Sequence, residues 1–517
     1  MGAAATASAR VRASVLKRPI MTVLQRSLWV VDAGAGAWAP PIIEWWRTRR
    51  RRSSVVHGSP LPAPLHRHPS ESPSMSERAS IESSLVRAVG VWGLVASIVN
   101  LIIGGGIFRI PSDPAVAGVL GAAAPLAYVL CAVAMGFVVL CMAEAGSRVS
   151  LTGGPSMYVE AAFGPYAGFL VGVLIWMIGA TAVPAIAMIF VDNFARLVPG
   201  FDSEAAKVGL LVATYAVLVW INVRGVKQGT RLIGVATVVK LAPLVLLLVV
   251  GVFGVHTEYL KPTALPAKRD FVRAAMVLVF VFAGFESALL PSGEVQDSSR
   301  TVPRALLIAM GLVTILFIAL QLVVQGILGP RLVGTPTPLA DAAGVVMGAW
   351  GAKLFAVAVV FSVFGFLSGM ALAMPRALFA FARDGYAPRV LASVHPRFRT
   401  PHVAIIAQAG LTVLLAATNG FERLVVLANL AALLAYLGCC AAAFELHRRE
   451  VRGVGEPFRL PGGNTIPVIA GFLVIGLLSS VTLREWRIAG LVLALASLVF
   501  VSTRRARALR GAASASS

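Results

Sequence analysis

Residues 100–112 read NLIIGGGIFRIPS: three consecutive glycines, Gly104, Gly105 and Gly106, set inside an apolar run long enough to cross a bilayer. Each glycine weakens a helix by about 1 kcal/mol relative to alanine. A backbone group freed in lipid costs several kcal/mol unless protein, water or ligand satisfies it. The run therefore predicts a broken helix whose exposed backbone forms one wall of a binding site. The competing explanation is close helix packing of the small-residue type.

Working outward, the 517 residues are 58% hydrophobic and only 13% charged, with positive mean hydropathy, which predicts an all-α polytopic membrane protein rather than a soluble one. The net charge of +22 does not point to nucleic acid, because the basic residues punctuate apolar runs instead of gathering on a polar domain. Cys131, Cys141, Cys439 and Cys440 all lie in apolar segments and lack zinc or disulfide-framework spacing. His57, His66 and His68 sit in a low-complexity tail. Neither a metal nor a cofactor is expected. No nucleophile elbow, phosphate loop or HExxH motif is present, so an enzyme is not expected either.

Residues 1–80 are rich in Ala, Arg, Pro and Ser, contain RTRRRRSS at residues 47–54, and read as a disordered basic extension. A polybasic arm drawn to anionic lipid is one reading. Met75 opens a compact polar lead into the first span, so an over-extended start is the other. Twelve apolar runs follow, each of the order of 20 residues as a bilayer requires: 87–112, 121–146, 166–196, 205–222, 231–254, 271–297, 303–328, 352–382, 402–418, 423–446, 465–482 and 486–503. With the N-terminus inside, the inner connections and tail hold 19 Lys and Arg against 11 outside, and this bias places both termini in the cytoplasm of a cell (inner) membrane protein. The basic cluster Lys261, Lys268, Arg269 and Arg273 runs against it. The transporter domain is expected over 81–503, with repeats at about 87–254 and 271–446, peripheral helices at about 465–503 and a cytoplasmic tail at 504–517.

If the first span is broken, an inverted repeat of five spans predicts a second break in the sixth. Residues 280–297, FVFAGFESALLPSGEVQD, supply one: Gly284, then Glu286 in mid-span, then Pro291 and Gly293. A carboxylate within a span costs about 3 kcal/mol on insertion scales and is a functional candidate by default. Broken helices offer unpaired amides at one half-helix end and carbonyls at the other, which together suit a zwitterion.

The segments IIGGGIF with IPS, then FVFAGFESALLPSGEVQDSSRTVPRAL, then MPRALFAFARDGYAPRVLASVHPRFRTPHVAI resemble the amino acid, polyamine and organocation transporter superfamily, over about residues 76–503. The resemblance implies two inverted five-helix repeats with discontinuous helices 1 and 6, plus two peripheral helices. It implies that Gly104, Gly105 and Gly106 bind a substrate carboxylate, that the carbonyls of Ile102, Phe280 and Ala283 bind the ammonium beside Gly284, and that Phe280 closes over substrate. Core packing is the plainer reading of Phe280 alone.

Lys240 lies nine residues beyond Arg231 in the fifth span, where snorkelling is strained. In similar sodium-independent members a lysine here touches the broken first helix, which implies proton coupling or exchange. Glu286 is either a pH-responsive group or a hydrogen-bonded brace of the break. Glu294 is expected to pin the sixth helix; Glu144, Glu160 and Asp192 are read as interface or gate residues. Arg148 and Arg383 are read as an inner gate network, and residues 336–350 as a short lid helix. The function expected is secondary active transport of amino acids across the plasma membrane by alternating access, with a permease or exchanger cycle and no partner subunit. A polyamine or organic cation transporter of the same fold is the alternative, and a channel or receptor the alternative from another class.

Overall fold

The computed structural model describes residues 89–149, 151, 153–201, 203–224, 230–262, 265–290, 295–452, 456–460 and 462–515. The N-terminal extension, Met75, Pro291, Gly293 and Glu294 lie outside the described residues. Among those described, the chain is helical, with one isolated parallel bridge between Val89 and Val295 and no sheet.

The helices are α1 Val91–Ile102, α2 Ala124–Arg148, α3 Pro155–Phe163, α4 Pro165–Leu197, α5 Glu204–Arg224, α6 Thr230–Gly251 and α7 Lys268–Phe282. There follow α8 Phe285–Ala288, α9 Ser298–Leu328, α10 Pro338–Arg383, α11 His402–Thr418, α12 Phe421–Arg448, α13 Thr465–Leu478 and α14 Leu483–Ala515. Eight described helices are long and apolar enough to cross a membrane, and four shorter apolar helices fall on the remaining apolar runs of the sequence. The chain is a multi-pass membrane protein.

The short elements have local causes. With 12 residues α1 is about 18 Å long, well under a hydrocarbon thickness of about 30 Å, because the glycine run ends it. Beyond Gly105 the chain continues in 3₁₀ turns at Gly106–Phe108 and Ile110–Ser112, where Pro111 removes an amide donor. Gly348, at φ +69°, separates a first helical segment of α10 from the long one, so residues 338–347 form the short segment expected there. The helix α3 was not expected; Gly154 (φ +55°) and Pro155 start it, and its far end is Gly164.

A single core of buried apolar side chains runs through the bundle, with Tyr128, Tyr158, Tyr436, Phe282, Phe285, Phe317 and Phe355 among its largest members. At its centre α4 packs on α10 and α12, α2 packs on α7 and α9, and α8 packs on α1. This packing brings the two short-ended helices α1 and α7 into the interior.

Candidate functional site at two helix breaks

The helix α1 ends where the Ile103 amide donates to the Val99 carbonyl at 2.9 Å. The next bond in the chain is the Phe108 amide to the Gly105 carbonyl, 3.0 Å. Among the described residues, the amides of Gly104, Gly105, Gly106 and Ile107 have no hydrogen-bond partner. The second break mirrors the first. The Ala283 amide donates to Val279 O, the chain turns through Gly284 at φ +114°, and α8 begins. The carbonyls of Ile102, Phe280 and Ala283 likewise have no donor among the described residues.

The two breaks touch. A Cβ on Gly284 would lie 3.0 Å from the Leu101 carbonyl oxygen, so this position needs glycine both for its left-handed backbone and for the close approach. Glu286, 2% exposed, folds back on the same turn: its Oε1 and Oε2 accept from the Gly284 amide at 3.1 and 2.9 Å, and Oε2 also accepts from the Tyr436 hydroxyl at 2.9 Å. These contacts tie Glu286 to the turn of the second break and to α12. Lys240, 3% exposed, does not snorkel; its Nζ donates to the Asn100 carbonyl at 3.4 Å, in the last turn of α1.

The glycine run is also tightly packed. A methyl group on Gly104 would lie 3.0 Å from Phe366 Cε2, on Gly105 2.7 Å from Ile186 Cγ2, and on Gly106 2.9 Å from Phe280 Cδ1. Close packing accounts for the missing side chains. It does not account for four consecutive unpaired amides in an apolar interior, which is the feature a bound anionic group would satisfy.

Beyond the break lies an ion-pair and aromatic cluster. Arg109 Nη1 is 2.5 Å from Asp192 Oδ2, and Lys207 Nζ is 3.2 Å from Asp192 Oδ1. Arg109 also stands over the Phe421 ring, 5.0 Å from its centre, and Phe421 meets Phe280 nearly edge-on with centres 6.2 Å apart. These contacts tie the segment after the glycines to α4, α5, α7 and α12, with Phe280 on the site side.

At the far ends of α2 and α12 a second cluster forms. Glu144, fully buried, accepts from Arg148 Nη2 at 2.7 Å and lies 2.6 Å from His447 Nδ1. Arg148 also donates to the Val451 carbonyl. Arg383 bonds its neighbour Asp384 instead, so the expected Arg148 and Arg383 network is not formed. Two like charges have no reason to meet without a shared carboxylate, and Arg148 already has its own.

Two cavities lie away from the glycine run. One lies between α4, α5, α10 and α11 and is lined by Tyr215, Met374 and Gln408; the other is lined by Gly121, Tyr259 and Gln325. At the first break, Phe366, Ile186 and Phe280 pack where side chains on Gly104, Gly105 and Gly106 would stand. Sequence reasoning missed Ile186 and Phe366, which are apolar residues in apolar helices and carry no signal. It also missed Tyr436, whose hydroxyl in an apolar run was a legible hint, and Arg109, a charge three residues past the glycines. No group of three or more His, Cys, Asp or Glu suited to a metal occurs among the described residues.

A family model described as amino acid permease matches residues 89–500. Among curated relatives, the chain is 26% identical to a methylthioribose transporter of Bacillus subtilis, over 83% of this chain and 96% of the relative. It is 27% identical to the serine/threonine exchanger SteT of the same organism, over 76% and 92%. It is 28% identical to the human Asc-type amino acid transporter 1, over 65% of this chain and 66% of the relative. The family and these relatives are transporters, not enzymes.

Proposed function

This chain belongs to the amino acid permease family, and we propose that it is a secondary active transporter of amino acids, binding substrate where α1 and α7 break. The observation that carries the reading is the pairing of unsatisfied groups: four amides at Gly104 to Ile107 and three carbonyls at Ile102, Phe280 and Ala283, on two segments in contact. A zwitterion satisfies both sets, its carboxylate on the amides and its ammonium on the carbonyls. The names of SteT and the Asc-type transporter agree with such a substrate.

The cycle we read is alternating access by a twelve-span protein of two inverted five-helix repeats, with both termini cytoplasmic and no partner subunit required. Phe280, packed edge-on against the Phe421 ring that Arg109 covers, closes one side of the site. Lys240 couples the state of α1 to a proton, because its ammonium bonds the last turn of α1 through Asn100 and loses that bond's charge assistance when neutral. The proposed cycle is sodium-independent. The methylthioribose transporter supports a second reading, a neutral thioether sugar, whose hydroxyls could bond the amides and carbonyls but bring neither a carboxylate nor an ammonium to them.

The test is uptake and counterflow of labelled amino acids by purified protein in proteoliposomes, under sodium or proton gradients. Saturable transport of an amino acid, driven or modulated by pH and indifferent to sodium, is the expected result. Saturable methylthioribose transport with none of any amino acid contradicts it.

A further inference from the structure

We propose that Asp113, in the connection between the first two spans, is a proton-binding site whose protonated form holds residues 109–120 closed on the bundle. Asp113 lies one turn beyond the first break: its amide donates to the Ile110 carbonyl at 3.0 Å, and its carbonyl accepts from the Val116 and Ala117 amides at 2.9 and 2.7 Å. The short helix that follows, Pro114–Gly118, packs on α7 and α2. Ser112 beside it donates through its hydroxyl to the Thr335 carbonyl at 2.6 Å. This packing leaves Asp113 only 8% exposed. Its Oδ1 accepts from the Ala115 amide at 2.9 Å. Among the described residues it forms no ion pair, whereas Asp192 is held by Arg109 and Lys207, and Asp341 by Arg196.

A carboxylate taken out of water without a counter-ion is more easily kept as the neutral acid. The charged groups that act on Asp113 are Glu422 in the first turn of α12, Arg109 of its own segment and Arg273 of α7. Tyr128 of α2, whose buried hydroxyl has no hydrogen-bond partner among the described residues, is the other titratable group that feels its charge. Burial is the largest influence and pushes the Asp113 carboxyl from its ordinary 3.8 up to about 6; Glu422 adds to it, while the Ala115 amide, Arg109 and Arg273 oppose it. An opened segment returns Asp113 to water and to its ordinary value. Below that value the group is neutral in both arrangements. As pH rises, the open arrangement ionises first, and the bias toward it levels off above about pH 6 at roughly a hundredfold. Acid therefore closes the segment and neutral pH loosens it. Because residues 109–112 continue from the glycine run, on the transport reading above this sets how readily one end of the site opens.

The experiment is maleimide labelling of the purified full chain carrying Val116→Cys, a position that is fully buried beside Asp113 and reacts only when the segment opens. The four native cysteines are buried, and the chain without Val116→Cys supplies the background. Labelling rates are measured from pH 5 to pH 7.5 with Asp113 present and with Asp113→Asn, which keeps an oxygen for the Ala115 amide but cannot ionise. Taking the ratio of the two rates at each pH cancels the thiol's own pH dependence. The ratio is expected to rise by about tenfold across this range. A ratio that stays flat with pH overturns the proposal. Faster labelling of Asp113→Asn at every pH also overturns it, since the charged carboxylate would then be what closes the segment. Ala117→Cys as the reporter and Asp113→Ser as the neutral cap repeat the comparison if either first choice does not fold. Labelling needs no substrate, so its outcome is independent of whether an amino acid is transported.

Discussion

Lys240 is the residue on which coupling turns in the proposed cycle. Its ammonium is buried and donates to a carbonyl of the helix that breaks, so Lys240→Ala deletes a group in contact with α1 without opening a surface defect. Transport is expected to fall by about ten- to a hundredfold, the range of a lost charge-assisted hydrogen bond of about 1.5–3 kcal/mol, with expression unchanged. Proton-dependent counterflow at the native rate by this variant would take lysine out of the cycle. Gly284 belongs to the same scale. Its φ of +114° and the Leu101 carbonyl 3.0 Å from any Cβ leave no room for alanine. Gly284→Ala should cost about 1–3 kcal/mol and lower the thermal midpoint in detergent; an unchanged midpoint would mean that the two breaks are not in contact. Both positions were legible beforehand, because a lysine and a glycine–glutamate pair break the rules of an apolar span. Ile186 and Phe366 obey those rules and were invisible.

At the scale of elements, the breaks are held in place by neighbours far away in sequence. Tyr436 of α12 donates to Glu286, Asn429 of α12 donates to the Met276 carbonyl of α7 at 2.7 Å, and Arg109 pairs with Asp192 across 83 positions. The helices themselves follow from apolar runs of spanning length, and their ends from glycine and proline. Which helix meets which follows only from tertiary packing, and for that reason the sequence suggested Arg148 with Arg383 where the fold puts Arg148 with Glu144. That pair makes its own prediction. Glu144→Gln leaves the Arg148 guanidinium, 5% exposed, without its counter-charge, and breaking a buried pair costs about 3–5 kcal/mol. A drop in the detergent thermal midpoint is expected, partly restored by Arg148→Met in the double variant. A midpoint equal to the native one in Glu144→Gln would show that the carboxylate does not hold α2 against α12.

For the whole molecule, the polytopic class and the position of both breaks were open to reading from composition and from two interruptions in apolar runs, since such interruptions are costly in lipid and rarely occur without use. The closure around the site was not, because it consists of ordinary apolar contacts that specify shape without specifying chemistry. The account's central claim is that unpaired amides and carbonyls at the two breaks read the two ends of a zwitterion. The measurement that tests it most directly is inhibition of labelled L-alanine counterflow by two analogues that each lack one end: ethylamine, without the carboxylate, and propionate, without the ammonium. The account predicts that unlabelled alanine competes and that each analogue is weaker by about a hundredfold or more, since a site built to hydrogen-bond a group rejects the analogue lacking it. Competition by ethylamine or propionate equal to that of alanine would contradict it.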